Sequence, residues 1–159
     1  CIRASRRRCY LYTCPWSVTS SRRNHEAAGP PPTGMTDFLV ATSSVHVTAA
    51  AADYLAERAD PEEDSVVVVG VREPDAPARD AGDAVNVARS RLATLVPATE
   101  LRDGDPLEEL LAAIEEHDPD EVLVGAHRGT ADSDGVGATA QALLARVDRP
   151  VVVVPPPTL

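Results

Sequence analysis

The chain has 159 residues, a length that indicates a single domain. It contains 15 basic and 25 acidic residues, so its formal net charge at pH 7 is −10. An acidic chain repels phosphate backbones, which argues against nucleic-acid binding. The longest apolar runs, at 66–69 and 151–154, are far shorter than the roughly 20 residues of a transmembrane helix. We therefore expect a cytoplasmic protein with no membrane partner.

The first 34 residues differ in composition from the rest. They hold all three Cys, six of the 15 Arg and one acidic residue, and the sole Met, Met35, follows them. We interpret 1–34 as a disordered, non-native extension read in frame before a start at Met35. A transit-type leader is the alternative, because the segment is rich in Arg and Ser. No cysteine spacing indicates a zinc site or a disulfide framework.

Residues 35–159 form the predicted domain, and they are strongly acidic. They contain 9 Arg, no Lys and 24 acidic residues, which gives a charge of −15. One interpretation is a hydrated surface that keeps the protein soluble. We favour adaptation to a high-salt cytoplasm, where ions screen the self-repulsion, and this predicts loss of the fold at low salt.

Five short apolar or β-branched segments predict strands. Residues 65–71 are nearly all Val, the pattern of a strand that is covered on both faces. The predicted strands cover 37–42, 65–71, 99–102, 121–125 and 151–154.

Four amphipathic segments between the strands predict helices. Ser43-Ser44 and Asp105 are good N-cap residues, and Pro106 suits a first helical position. The second helix is predicted at 81–95 after a loop at 73–79, and the fourth follows a loop at 126–137. The side chains expected to face the core are Val47, Ala51, Tyr54, Leu55, Val85, Ala88, Leu92, Leu95, Leu107, Leu110, Leu111, Ile114, Ala140, Leu143, Leu144 and Val147.

This alternation of strands and helices predicts an α/β fold with three αβα layers. Short connections and right-handed crossovers favour a parallel five-stranded sheet with helices on both faces. Ligands of such sheets bind beyond the carboxyl ends of the strands, where the strand order reverses. If the order is 3-2-1-4-5, the crevice lies between the loop after the first strand, at 42–44, and the loop at 125–137.

Four stretches of residues 36–156 resemble the universal stress protein family. They are 38–42, 102–106 with its Gly-Asp-Pro, 114–125, and 137–140 together with the final Pro-Val strand at 149–154. The resemblance implies an adenine nucleotide alpha-hydrolase-like fold with strand order 3-2-1-4-5, dimerisation and a role in stress survival. Some members bind ATP and others do not. The acidic composition indicates a haloarchaeal-type member.

ATP-binding members of the family have a glycine-rich motif after the fourth strand. It reads Gly-x-x-Gly and, further on, Gly-Ser or Gly-Thr; glycines admit the phosphates, and backbone N–H groups bind them. Gly125 matches the first glycine, but Arg128 stands at the second and Gly129 follows one residue late. Gly137 matches the third glycine but comes one residue early. Ala138 follows it where the motif has Ser or Thr, and Thr139 comes one residue later.

Two other features also lower the expected affinity for a triphosphate. Thr42 matches the family pattern, but the next residue is Ser43, where ATP-binding members have Asp. Asp132 and Asp134 in the loop would repel phosphates, and Arg128 would offset part of this repulsion. We therefore predict a degenerate nucleotide site with weak or absent ATP binding, and another small anion at 137–139 is the alternative. No cofactor is expected, ATP being the one candidate. The site residues are Thr42, Ser43, Gly125, His127, Arg128, Gly129, Gly137, Ala138 and Thr139.

No motif in the chain predicts catalysis. The Gly-x-Gly-x-x-Ala at 135–140 begins too far after its strand for a dinucleotide fold, and there is no Walker loop, Gly-x-Ser-x-Gly elbow or metal-ligand spacing. His46 and His117 are predicted to be surface or capping residues, and His127 lies near the crevice. We expect a non-catalytic stress-response protein; the alternative is an ATP-binding universal stress protein with slow ATPase activity.

The last strand favours a homodimer. Val151, Val152, Val153 and Val154 would form an open apolar edge, and such edges need pairing or cover. The alternative is an edge shielded by the prolines at 155–157.

Overall fold

The computed structural model describes residues 35–74, 78–126 and 135–155. The interpretation of residues 1–34, and that of the proline tail beyond residue 155, lie outside the described residues. Within the described part, strands and helices alternate from one end to the other. In chain order the elements are β1 (Asp37–Thr42), α1 (Val45–Ala56), β2 (Ser65–Arg72), α2 (Ala78–Arg91), a 3-10 turn (Ala93–Leu95), β3 (Ala98–Asp103), α3 (Pro106–His117), β4 (Glu121–Gly125), α4 (Ala138–Arg146) and β5 (Val151–Val154).

The five strands form one parallel sheet in the order β3-β2-β1-β4-β5. The predicted fold class and strand order are therefore confirmed. The central strand β1 pairs with β2 on one side, with Thr42 opposite Gly70, and with β4 on the other, with Ala41 opposite Val124. The strand order reverses between β1 and β4, so a crevice opens beyond their carboxyl ends.

Two hydrophobic clusters cover the two faces of the sheet. On one face α1 and α2 bury Leu55 and Ala88 against Val40 and Val68. On the other face α3 and α4 bury their apolar residues against Leu39, Val69 and Val122. Residues of β1, β2 and β4 contribute to both clusters, which is why these strands read as nearly continuous apolar runs.

The second helix differs from its prediction at both ends. It begins at Ala78, inside the predicted loop at 73–79, and ends at Arg91 rather than 95. The 3-10 turn then brings Leu95 into the core, and the chain leaves it through Val96, which has a left-handed backbone with φ of 46°. Leu92 and Leu95 are both buried as predicted, so the core pattern was right although the helix boundary was wrong.

Leu144 is the clearest error among the predicted core residues, since 48% of it is exposed. α4 buries Ala140 and Leu143 toward α3 and the sheet. Leu144 projects from the flank of this narrow stripe, where the described residues include no further helix to cover it.

The predicted helix caps are confirmed. Ser44 accepts a hydrogen bond from the Val47 N–H at the start of α1, and Asp105 accepts from the N–H groups of Leu107 and Glu108 at the start of α3. Just before this cap, Gly104 has φ of +147°, a conformation that residues with a side chain rarely adopt. None of the helices in the described ranges is long and apolar enough to cross a membrane.

Candidate functional site

A cavity of about 390 Å³ opens at the carboxyl ends of β1, β2 and β4. This is the sheet edge at which ligands of parallel α/β folds bind. Its described lining residues are Ala41, Thr42, Ser43, Val71, Glu73, Pro106, Leu110, Val124, Gly125, Ala126, Gly137, Ala138, Thr139 and Ala140.

The cavity continues the core on the α3 and α4 face of the sheet. Its floor is apolar, because Ala41, Val71 and Val124 at the strand ends and Leu110 and Ala140 on the helices also belong to that core cluster. The polar part of the lining comes from the loops and from the start of α4. An apolar floor with a few polar groups at its edge is typical of small-molecule sites.

The structure brings six of the nine predicted site residues to this cavity: Thr42, Ser43, Gly125, Gly137, Ala138 and Thr139. His127, Arg128 and Gly129 lie outside the described residues, as do Asp132 and Asp134. Elsewhere, His46 is exposed in the first turn of α1, and His117 ends α3 within 2.7 Å of a Glu100 carboxylate oxygen.

Thr42 lines the cavity, but its hydroxyl has a structural role. Its oxygen lies 2.6 Å from the hydroxyl oxygen of Thr48, so one of the two hydroxyls donates to the other. The second hydroxyl proton is available to a carbonyl, because the Ser44 carbonyl lies 3.2 Å from the Thr42 hydroxyl and the Ala84 carbonyl of α2 lies 3.2 Å from the Thr48 hydroxyl. This buried chain of hydrogen bonds joins β1, α1 and α2, and the neighbouring Ser43 is half-exposed at the cavity.

Gly125 has a packing reason to be glycine. A Cβ atom at this position would lie 2.5 Å from Cγ2 of Val47 and 2.8 Å from its Cγ1, closer than real Cβ contacts allow. The sequence interpretation was that Gly125 admits phosphates. The structure adds a second reason, a close approach of the β4 backbone to α1, which requires glycine with or without a ligand.

The start of α4 is the feature of the cavity best suited to an anion. The N-cap Gly137 offers no side-chain hydrogen bond, and its own N–H donates to the Ala126 carbonyl at 2.6 Å. The first backbone bond of the helix runs from the Gln141 N–H to the Gly137 carbonyl. The N–H groups of the first turn, which begins at Ala138, and the positive end of the helix dipole therefore lie at the cavity.

Sequence reasoning missed one wall of the cavity. Glu73 follows β2, and Pro106 and Leu110 come from the start of α3. The predicted crevice named only the loops after the first and fourth strands, although the order 3-2-1-4-5 also places β2 beside β1. The sequence did contain a signal for this wall, because the helix start at Asp105-Pro106 directly follows the carboxyl end of a predicted strand.

Charge is scarce in the described lining. Glu73 is the only charged residue among the lining residues that the structure describes, and none of them is basic. In the same described ranges, no group of three or more His, Cys, Asp or Glu is arranged to hold a metal ion.

The sequence model of the universal stress protein family matches residues 35–155, which span every strand and helix described above. The chain belongs to the universal stress protein family. No protein with a curated function is significantly similar to it in sequence.

Solved structures share this fold at low sequence identity. The hypothetical protein MJ0577 is 15% identical over 78% of this chain and 98% of its own, with a TM-score of 0.64. Universal stress protein UspA from Lactobacillus plantarum is 19% identical over 77% of this chain and 99% of its own, with a TM-score of 0.61. A universal stress protein family protein from Arabidopsis thaliana, solved with AMP bound, is 15% identical over 77% of this chain and 93% of its own, with a TM-score of 0.55.

Proposed function

We propose that this protein is a non-catalytic stress-response protein that binds a small adenine nucleotide, or another small anion, in the cavity at the carboxyl ends of the strands. The observation that supports this most directly is the start of α4, whose backbone N–H groups lie at an otherwise apolar cavity. The described lining holds one carboxylate and no second acid or base that would form a catalytic pair.

Other members of the fold support this choice of ligand. AMP is bound in the Arabidopsis thaliana structure, and universal stress protein structures in complex with dAMP and with cAMP have TM-scores of 0.52 and 0.54 to this chain. A cavity of about 390 Å³ is at the small end of the range for ligand sites, roughly 300–1,000 Å³. We therefore propose a monophosphate-sized ligand and weak binding of ATP.

Calorimetry of the purified chain with AMP, ATP and inorganic phosphate in molar salt tests the proposal. We expect saturable binding of AMP that is lost when Ala140, in the cavity wall at the start of α4, is replaced by Phe. The control variant Ala59→Phe, three residues after the end of α1 and partly buried against the core of the other sheet face, should bind normally. Failure of AMP and phosphate to bind would contradict the proposal. Steady phosphate release from ATP by the wild-type chain, abolished by A140F, would favour the ATPase alternative.

We also propose that the chain forms a homodimer through β5. β5 is an outer strand of the sheet, with its side chains packed on both core clusters. The Val122 N–H donates to the Pro150 carbonyl and the Ala126 N–H to the Val154 carbonyl, so even-numbered residues face β4. The backbone groups of Val151 and Val153 therefore point outward, as a pairing edge requires.

Light scattering in high salt tests the dimer. The wild-type chain should have twice the monomer mass, and Val153→Pro should be monomeric because proline removes an outward N–H without breaking a bond to β4. Val153→Thr keeps that N–H and should remain a dimer. A monomeric wild-type chain would contradict the proposal.

The acidic surface supports a further proposal, that the protein works in a high-salt cytoplasm. Residues 35–159 have 9 Arg against 24 acidic residues, a charge of −15 that requires screening in the compact state. We expect the urea concentration at the midpoint of unfolding to increase steeply as the KCl concentration is raised from 0.1 to 2 M. Full stability in salt-free buffer would contradict this.

A further inference from the structure

The two outer edges of the sheet differ in the residues that they carry. β3, at one edge, has Glu100, Arg102 and Asp103, each of which forms an ion pair. β5, at the other edge, consists of four valines and has no charged residue. Charged side chains on an edge strand oppose pairing with another strand, whereas an apolar edge leaves it open. The β5 edge is therefore the one suited to a second copy of the chain.

One flank of α4 faces this same edge. α4 packs against β5, and α3 packs against β1 and β2, so the side of α4 that is turned away from α3 lies toward the outside of β5. Arg146 marks the α3 side, because it pairs with Glu108 of α3. Leu144 lies about 160° from Arg146 around the helix, since each residue turns it by about 100°. The exposed side chain of Leu144 is therefore on the β5 side of α4.

The valines of β5 extend this apolar surface. Val151 and Val153 pack on the α3 and α4 face of the sheet, and Val152 packs on the α1 and α2 face. All three are only partly buried, because no strand lies beyond β5 in the part of the chain that the structure describes. Leu144, Val151 and Val153 thus form an apolar strip along one side of the edge.

The backbone of β5 restricts how a second copy can pair with it. A two-fold axis perpendicular to the sheet places β5 antiparallel to its own copy. Within β5, Val151 and Val153 direct their backbone groups outward, and the next outward residue, Pro155, has no N–H. With Val152 opposite Val152, each Val151 pairs with a Val153 of the other copy, which gives two hydrogen-bonded pairs. A register centred on Val151 or on Val153 gives one such pair within the strand.

We propose that a second copy of this chain docks on β5 in the register centred on Val152, with Leu144 of each copy packed against Val153 of the other. α4 runs antiparallel to β5, so Leu144, near the end of α4, lies toward Val151 at the start of β5. In this register Val153 of the second copy is opposite Val151 on the same face of the sheet. The contact uses backbone hydrogen bonds and apolar side chains, so salt that screens ion pairs does not remove it. This inference rests on the proposed homodimer, because it names the contacts of the same interface.

Cysteine cross-linking of the full chain tests the register. The three native cysteines, all within residues 1–34, are first replaced by Ser, and Val151, Val152 or Val153 is then changed to Cys. Each protein is treated with oxidised glutathione in 2 M KCl. In the proposed register the two Cα atoms at 152 are about 4.5 Å apart, within reach of a disulfide, whereas those at 151, or at 153, are roughly 7–8 Å apart. Val152→Cys should therefore form a disulfide-linked dimer, and the other two variants should form little.

A dilution series followed by light scattering in 2 M KCl tests Leu144. Leu144→Ala should raise the dissociation constant of the dimer on the order of ten- to a hundredfold, because both copies lose apolar contact area. Leu144→Met keeps an apolar side chain and should stay near the wild-type value. The matched control is Leu101→Ala, since Leu101 is 39% exposed on β3 at the opposite edge, and it should leave the dissociation constant unchanged. Circular dichroism establishes that each variant is folded.

The outcomes distinguish this inference from the proposed dimer. Cross-linking at 151 or 153 in place of 152 would overturn the register and leave a dimer through β5 intact. Equal dissociation constants for Leu144→Ala and the wild type, or equal increases in Leu144→Ala and Leu101→Ala, would overturn the contact of Leu144. A monomeric wild-type chain, or a dimer that none of the three cysteines cross-links, would contradict the proposed dimer through β5, and this inference would fail with it.

Discussion

Helices α3 and α4 pack on the same face of the sheet, and both begin at the cavity, yet their first turns differ. The N-cap Asp105 of α3 accepts hydrogen bonds from two backbone N–H groups. The N-cap of α4 is Gly137, which provides no side-chain acceptor. The orphan N–H groups of α3 are thus satisfied inside the protein, whereas those of α4 lie at the cavity for a ligand or solvent.

The C-terminal end of α3 also makes closer side-chain contacts than the C-terminal end of α4. His117, the last residue of α3, contacts Glu100, and Glu100 also pairs with Arg102, which reaches Glu116 of α3. Near the end of α4, Arg146 pairs with Glu108, and both side chains are more than half exposed. α3 is therefore held at both ends, whereas α4 depends mainly on packing.

The largest effect is expected at the glycine that ends β4, before the chain enters α4. Gly125→Ala should lower the free energy of unfolding by about 1–3 kcal/mol, since its methyl group would overlap Val47. In a Val47→Ala background the cost should largely disappear. Urea denaturation at constant salt measures the stability of both variants.

Gly82 in α2 provides the control for this prediction. A Cβ at Gly82 meets no atom within 4 Å, so Gly82→Ala should instead stabilise the protein. Equal costs of G125A in both backgrounds would refute the packing explanation.

Removal of the α3 cap should have the next largest effect. Asp105→Ala leaves two N–H groups without their acceptor and should cost about 1 kcal/mol of unfolding free energy. Asp105→Asn retains an acceptor oxygen and should cost much less. If both variants lose the same stability, the cap is not what holds the start of α3.

The far end of α3 should respond to pH. Burial acts to raise the pKa of Glu100, but hydrogen bonds from Arg102 and His117, together with their charges, outweigh it and hold this pKa below its ordinary value of 4.5. A carboxyl whose pKa is lowered by folding stabilises the protein above its unfolded-state pKa, and this contribution is lost as the pH falls through the folded-state pKa.

Glu100→Gln tests this pH dependence. At pH 7 the variant should be less stable than the wild type by about 0.5–1 kcal/mol, the scale of a well-formed ion pair. The difference should shrink below about pH 4.5, as the wild-type carboxylate is protonated. Unfolding curves in urea from pH 7 to pH 3 measure it, and a constant difference across this range would contradict the assignment.

The smallest effect on stability is expected at the start of α4. Gly137→Asp gives α4 the kind of cap that α3 has, and it should add a few tenths of a kcal/mol to the free energy of unfolding. The same carboxylate should weaken binding of AMP and phosphate, because it occupies the N–H groups and adds negative charge. Calorimetry with Gly137→Asn, which caps without charge, separates the two causes. Unchanged AMP affinity in both variants would show that the ligand does not use this helix start.

Much of the fold could be predicted from the sequence. The Val run of β2, the Ser44 and Asp105 caps and Pro106 at a first helical position are local signals, and each predicted its element. Leu144 was mistaken for a core residue because its spacing fits the apolar stripe of α4, and spacing does not reveal which flank a neighbour covers. The end of α2 was missed because Leu92 and Leu95 keep the helical pattern through a 3-10 turn.

The candidate site was predicted less completely than the fold. The glycines and hydroxyls after β1 and β4 were found because a family motif marks them. Glu73 follows β2 without any such motif, and it is a cavity residue only because β2 extends beyond β1. Thr42 was found, but the hydrogen bond between its hydroxyl and Thr48 was not, since many residues have that spacing without meeting.

The sequence by itself determined the order of strands and helices, their caps and the sheet edge at which a ligand would bind, because these follow from local periodicity and from the rules of parallel sheets. The tertiary structure decided which atoms meet there: Val47 against Gly125, the start of α3 beside the end of β2, and Glu73 in the cavity wall. Such contacts join residues far apart in the chain, and packing at a scale of tenths of an ångström selects them.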